Sequence, residues 1–226
     1  MPDTRKGRAT RARILDAAWQ LSDARGAEGI LGGVTLREIA GAVDMSASAV
    51  SYHFPTTESL AVAMVEHLTQ EISPLSIDAI DALVDYAESD GFVNAARLAA
   101  QFNWAVLTTA EEVTFERRLM RCHGAAPSHE GIRRILAEAV DDWVREIADT
   151  YGRTAELLHL RPIEPFELVE IARAVSALTE GLLQFWMLDP DAVRTGLVED
   201  VVVALASAAV IPAEREVALA ERAAEV

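Results

Sequence analysis

The sequence predicts an all-α protein: an N-terminal three-helix, helix-turn-helix domain followed by a larger helical domain. Three observations carry this. Apolar residues recur at helical spacing along nearly the whole chain, with no convincing period-two run. Helix stop signals, glycine and proline above all, punctuate it at intervals of about one helix length. Near the N-terminus, two short periodic segments are separated by only a few residues, the spacing of a tight turn between helices.

The first helix is expected over 10–25. Ile14, Leu15, Ala18 and Leu21 share one face, and Gly26 stands where a glycine ends a helix. A glycine-rich loop, AEGILGG, follows. Thr35 and Glu38 then have the spacing of a capping box, in which a hydroxyl and a carboxylate satisfy the free N–H groups of a helix start. That second helix runs to about Ala42, with Leu36, Ile39, Ala40 and Val43 inward. Asp44 suits the turn, Ser46 is a good N-cap for a third helix ending near His53, and Pro55 interrupts. Thr56 opens a fourth helix with Leu60, Met64 and Leu68 on its apolar face. The pattern is shared by a helix-turn-helix and by a plain three-helix bundle that binds nothing.

Beyond Ser73-Pro74, helices are expected over 75–89, 92–109, 112–122, 128–151, 164–188, 191–210 and 213–224. The breaks are Asp90-Gly91, Gly124 to Pro127, Arg161 to Pro165, Asp189-Pro190 and Pro212. The segments 164–188 and 191–210 are apolar on more than one face, so they are buried or meet a second partner. Such a pair can close the four-helix interface of a homodimer. The expected domains are 8–72, with the helix-turn-helix at about 35–54, and 73–226.

The 226-residue chain carries a formal charge of −16, unevenly placed. Residues 1–13 hold Arg5, Lys6, Arg8, Arg11 and Arg13 against Asp3 alone, a net +4 that leaves −20 for the rest. A basic start on an acidic body fits an end that meets an anion, or a solvated tail. No stretch approaches the ~18 apolar residues that span a bilayer, and the polar, basic N-terminus lacks the apolar centre of a secretory signal. The one cysteine, Cys122, excludes an intrachain disulfide. Together these suit a reducing cytoplasm. There is no nucleophile elbow, phosphate loop or dinucleotide fingerprint, so neither an enzyme nor a cofactor is expected. Cys122, His123, His129 and Glu130 match no structural zinc spacing, and no metal is expected. Phe102, Asn103, Trp104, Trp143, Thr179, Gln184 and Trp186 are the candidates for lining an apolar ligand pocket with a few polar groups.

Residues 13–68 resemble the tetracycline-repressor (TetR) family of bacterial transcriptional regulators. The resemblance rests on "RILDAAWQLSDARG" and "TLREIAGAVDMSASAVSYHFPTTESL": Ile14-Leu15 before Ala17-Ala18, the Arg25-Gly26 helix end, Thr35 with Ile39-Ala40, Ser46, and His53-Phe54-Pro55 with Glu58 and Leu60. It implies a helical DNA-binding domain, a helical effector and dimerisation domain, and repression of a palindromic operator that a small molecule relieves. By position it implies that Arg37 contacts bases, where an arginine can pair with guanine. Ser46, Ala47, Ser48 and Ala49 would face the major groove, with Thr35, Ser51 and Tyr52 beside them. His53 and the Thr56-Thr57 helix start would meet phosphates. Tyr52 suits either the sugar-phosphate backbone or half-buried packing. Three departures stand out. Ser51 replaces a usual tyrosine, Thr57 replaces a frequent lysine, and the loop between Gly26 and Thr35 is about four residues longer. Ser22 stands where an apolar aromatic is typical, so looser packing of the first helix is expected. The alternative is a helical ligand-binding or interaction protein that has lost specific DNA binding.

Overall fold

The computed structural model describes residues 5–26, 30, 33–70, 83, 85–87 and 89–212. Its helices are α1 (Arg5–Ala24), α2 (Leu36–Ala42), α3 (Ala47–His53), α4 (Thr57–Thr69), α5 (Phe92–Leu107), α6 (Ala110–Ala125), α7 (Glu130–Leu157), α8 (Leu168–Leu188) and α9 (Thr195–Ala209). Residues 83, 85–87 and 89–90 are also helical. The rest of the helix expected over 75–89, the helix expected over 213–224 and the 72/73 domain boundary lie outside the described residues. The all-α class holds, with one addition. Two three-residue strands, β1 (Leu160–Pro162) and β2 (Val210–Pro212), pair antiparallel with Arg161 opposite Ile211. Three residues are too few to show an alternation in sequence.

Two compact units emerge. One comprises Met1–Ile72 and Thr114–Val140, the other Ser73–Val113 and Asp141–Val226. The first unit therefore takes in most of α6 and the start of α7. The reason is apolar: Leu119, Cys122, Ile132 and Leu136 join the same buried cluster as Ile14, Trp19, Ile39, Val50, Phe54, Leu60, Met64 and Leu68. Burying each large apolar side chain stabilises by about 1.5–3 kcal/mol, so a three-helix domain this small gains from the extra cover. The Trp19 indole N–H donates to the Met64 carbonyl at 3.3 Å, which satisfies the polar atom of that buried ring.

Local signals explain the first unit's element ends. Gly26 has φ +59° and closes α1, its N–H donating to the Asp23 carbonyl at 3.0 Å. Asp44, at φ 52°, makes the turn between α2 and α3. Both halves of the Thr35–Glu38 capping box are formed, Thr56 and Ser59 form a second one on α4, and the Ser46 hydroxyl accepts the Ala49 N–H at 3.2 Å. The first helix is longer than its apolar face suggests. It begins at Arg5, so the basic residues 5–13 are its first turns and not a separate tail.

In the second unit α5 packs along α9. Arg97 binds Glu199 and Asp200, and the Gln101 amide donates to Glu199 at 2.9 Å. Trp104, Leu183, Val193 and Val198 form its buried cluster. The helix expected from 164 starts at Leu168, because its first turn is capped by Glu167 and Glu170 beyond Pro165. The helix expected from 191 starts at Thr195, because Pro190–Ala192 form a 3-10 turn.

Candidate nucleic-acid interface

α2 and α3 bury one side and show the other. Ile39, Ala40, Val50 and Phe54 are buried, while Arg37, Ser46, Ala47, Ser48 and Tyr52 are exposed. Seven residues make about two turns, too short to stand alone, so α3 depends on Val50 and Phe54 and on its caps. Its outward start is narrow. Ser46 and Ser48 hydroxyls lie 3.0 Å apart, and Ser46 is already spent on the cap. Ala49 and Ser51 are half-buried. Tyr52 is 69% exposed, which settles it against packing, and its ring meets His53 edge-on at 5.6 Å. His53 is half-buried.

Arg37 and Arg25 have opposite fates. Arg37 is exposed and makes no ion pair among the described residues. Arg25 donates to the Gly33 carbonyl at 2.8 Å and to Glu38, tying the end of α1 to Gly33 and to α2. Thr35 is exposed but works as a cap: its hydroxyl and N–H both donate to Glu38, at 2.7 and 2.9 Å. Those two bonds, then Arg25, hold the Glu38 carboxyl below its ordinary value. At the start of α4, Thr56 and Thr57 are exposed, and the capping box uses the Thr56 and Ser59 amides. The Thr57 and Glu58 amides point out of the helix end, where an anion is favoured.

Sequence reasoning missed four arginines. Arg11 donates to the His53 carbonyl at 3.3 Å and lies over the Phe54 ring at 4.4 Å. Arg13 donates to the Val43 carbonyl at 3.1 Å. Both belong to the basic stretch 5–13, for which the sequence offers an anion-meeting end or a solvated tail. Arg118 and Arg121 of α6 converge on Asp23 of α1 and flank the Trp19 ring, each at 5.3 Å. Ser22 is fully buried, and its environment reverses the expectation of looser packing. Its hydroxyl donates to the Ile30 carbonyl at 2.7 Å and accepts from Arg121 at 2.9 Å. These contacts join residues 8 to 99 positions apart, so no local pattern marks them.

The pocket candidates do not gather as a set. Trp104 and Trp186 meet edge-on at 6.3 Å within the buried cluster. Thr179 is buried, but its hydroxyl donates to the Val175 carbonyl of its own helix at 2.9 Å. Trp143 is half-buried, and Phe102, Asn103 and Gln184 are exposed. Successive helix residues diverge by about 100°, so Phe102, Asn103 and Trp104 cannot share one direction. Cys122 is buried, which pushes its thiol up to about 12. His129 accepts the Ile132 N–H at 3.2 Å and faces Glu58 at 3.3 Å, and Glu130 pairs with Arg133. Among the described residues, no three His, Cys, Asp or Glu side chains gather as metal ligands, and no helix is long and apolar enough to cross a membrane.

Comparison with known proteins agrees with this geometry. Residues 14–64 match the family described as bacterial regulatory proteins, tetR family. Among solved structures, a TetR-family transcriptional regulator from Rhodococcus sp. is 20% identical, with 88% of this chain and 96% of that one covered and a TM-score of 0.57. A transcriptional regulator from Saccharomonospora viridis, solved in complex with choline, is 19% identical over 86% of this chain and 93% of that one, with a TM-score of 0.60. A TetR-family regulator from Cytophaga hutchinsonii is 15% identical over 92% and 98%, with a TM-score of 0.66. No curated protein matches the chain. The matched segment spans the helices whose exposed face is described above, so over residues 14–64 the chain is similar to the tetR family of bacterial regulatory proteins.

Proposed function

We propose that the chain is a homodimeric, sequence-specific DNA-binding regulator that represses from a near-palindromic operator and is released by a small molecule. The observation that carries this is the exposed face of α2 and α3. Small side chains occupy the start of α3, and Arg37 and Tyr52 are both exposed on the same two helices. A slim helix start can approach the groove floor. There serine can hydrogen-bond to several bases, alanine can touch a thymine methyl, and Arg37 can read guanine. DNA shape would supply further discrimination.

The acidic body does not oppose this. Charge is screened over ~8 Å at physiological salt, so the local set decides. With Arg11, Arg13 and Arg25 bonded to backbone carbonyls, Arg5, Lys6 and Arg37 are exposed cations available to phosphates and bases. Three per protomer would give a salt slope of roughly −5 for the dimer.

Dimerisation is assigned to α8 and α9, which fits the exposure of Phe185 and Leu188 at 63% and 84%. A two-fold dimer would offer two copies of α3 to major grooves about 35 Å apart. Residues 8–72 are the reading domain and 73–226 the effector and dimerisation domain. The Trp104–Trp186 cluster and the acidic surplus favour an uncharged or cationic effector. Release requires that it bind the non-DNA form more tightly. The setting is the cytoplasm.

The test is selection from a random palindromic DNA library, followed by affinity across a salt series. An enriched palindrome bound by the dimer with a salt slope is expected. No enrichment and no slope would refute the regulator and leave the ligand-binding reading, which Ser51 and Thr57 favour at the two family contact positions.

A further inference from the structure

We propose that Arg11 and Arg13 are positioning residues that set the seat of α3, acting on DNA through protein backbone and not as phosphate contacts. The proposal rests on the DNA-binding reading of that face. Arg11 donates to the His53 carbonyl, an acceptor that the end of a seven-residue helix leaves without an intrahelical partner. The same guanidinium lies 4.4 Å from the centre of the Phe54 ring, the 1%-exposed residue that anchors the end of α3 in the core. Arg13 donates to the carbonyl of Val43, the cap residue of α2 just before the Asp44 turn. Thus α1 holds both helix ends that define the helix-turn-helix. A cation at a helix C-terminus is also on the favourable side of the dipole. Ser46 caps the other end of α3, so the helix is fastened at each terminus while its outward side stays clear. A guanidinium that donates to a carbonyl and stacks on an aromatic ring is not a solvated charge waiting for phosphate.

Salt separates the two roles. A phosphate contact releases counterions, so its loss flattens the salt slope and weakens all sequences alike. A positioning residue leaves the slope and changes discrimination. The experiment compares Arg11→Met, Arg11→Lys and, as an exposed reference, Arg5→Gln, on the enriched palindrome and on a site altered under α3. Arg11→Met is expected to lose roughly tenfold affinity on the matched site, keep the wild-type slope and lose a similar factor of discrimination. Arg5→Gln is expected to lower the slope by about two per dimer and weaken both sites equally. Hydrogen exchange gives a readout without DNA. The Phe54 amide, bonded to the Val50 carbonyl at 2.9 Å, should exchange faster in Arg11→Met. A flattened slope with discrimination intact, or unchanged Phe54 exchange, overturns the proposal. Should Arg11→Met not fold, Arg11→Lys decides: wild-type discrimination and Phe54 exchange with the charge merely retained overturn it. If the wild-type protein enriches no sequence, the DNA-binding reading fails by itself, and the exchange measurement still decides the seating of α3.

Discussion

Replacing Asp23 with alanine should cost more than any other single polar change in the first unit. Asp23 lies between two guanidinium groups. Arg118 donates to it through Nε and Nη2 at 2.9 and 2.8 Å, and Arg121 donates to its other oxygen. Breaking a fully buried charge pair costs about 3–5 kcal/mol, because the surviving charge stays desolvated. Here the side chains are 17–27% exposed, and water would recover part of that. The stacking on Trp19 and the Arg121 bond to Ser22 remain, but they do not neutralise two cations. The expected loss is roughly 2–3 kcal/mol, which in a chain of this size lowers Tm by about 5–10 °C. Urea unfolding followed by circular dichroism measures it, with an unchanged m-value showing that stability alone has moved. A double-mutant cycle with Arg121→Met should give a coupling of about 1–2 kcal/mol. Because the pair is partly buried, most of the loss should persist at high salt. A cost below about 0.5 kcal/mol, or coupling near zero, would place the cluster with screened surface pairs and refute the reasoning.

Three further outcomes are expected. Arg37→Ala should weaken specific binding by about 1–3 kcal/mol and relax one operator position; equal loss on every sequence would make Arg37 a phosphate contact. Cys122, with its thiol pushed up to about 12 by burial, should resist alkylation at mildly alkaline pH until urea unfolds the protein; fast labelling of the native state contradicts its burial. Glu38 is held below its ordinary 4.5 in the folded protein. Its contribution is therefore present at neutral pH and is lost as pH falls from about 4.5 through the lower folded value. Glu38→Gln should shrink that acid-side loss in pH-dependent unfolding, and an unchanged profile would remove Glu38 from the cause.

The sequence by itself determined the helical class, the order of the first four helices, and the Thr35, Ser46 and Thr56 caps. These depend on residues within four positions of one another, so spacing reveals them. Gly26 and Asp44 were legible for the same reason, since backbone conformation at φ > 0 is a property of the residue type. Family resemblance pointed to α2 and α3 for the proposed reading face. What only the tertiary structure decided is how the basic residues divide their work. Arg11 and Arg13 look no different in sequence from Arg5 and Lys6, yet they meet carbonyls 42 and 30 positions away. Ser22 reads as a flaw in an apolar face until Arg121 and the Ile30 carbonyl arrive to satisfy it. Asp23 gains its partners from α6, which the linear domain boundary assigned elsewhere. Local hydrogen bonds and side-chain periodicity are written along the chain. Desolvation and charge pairing depend on which distant groups the fold brings within about 3 Å, and no short window of sequence contains that information.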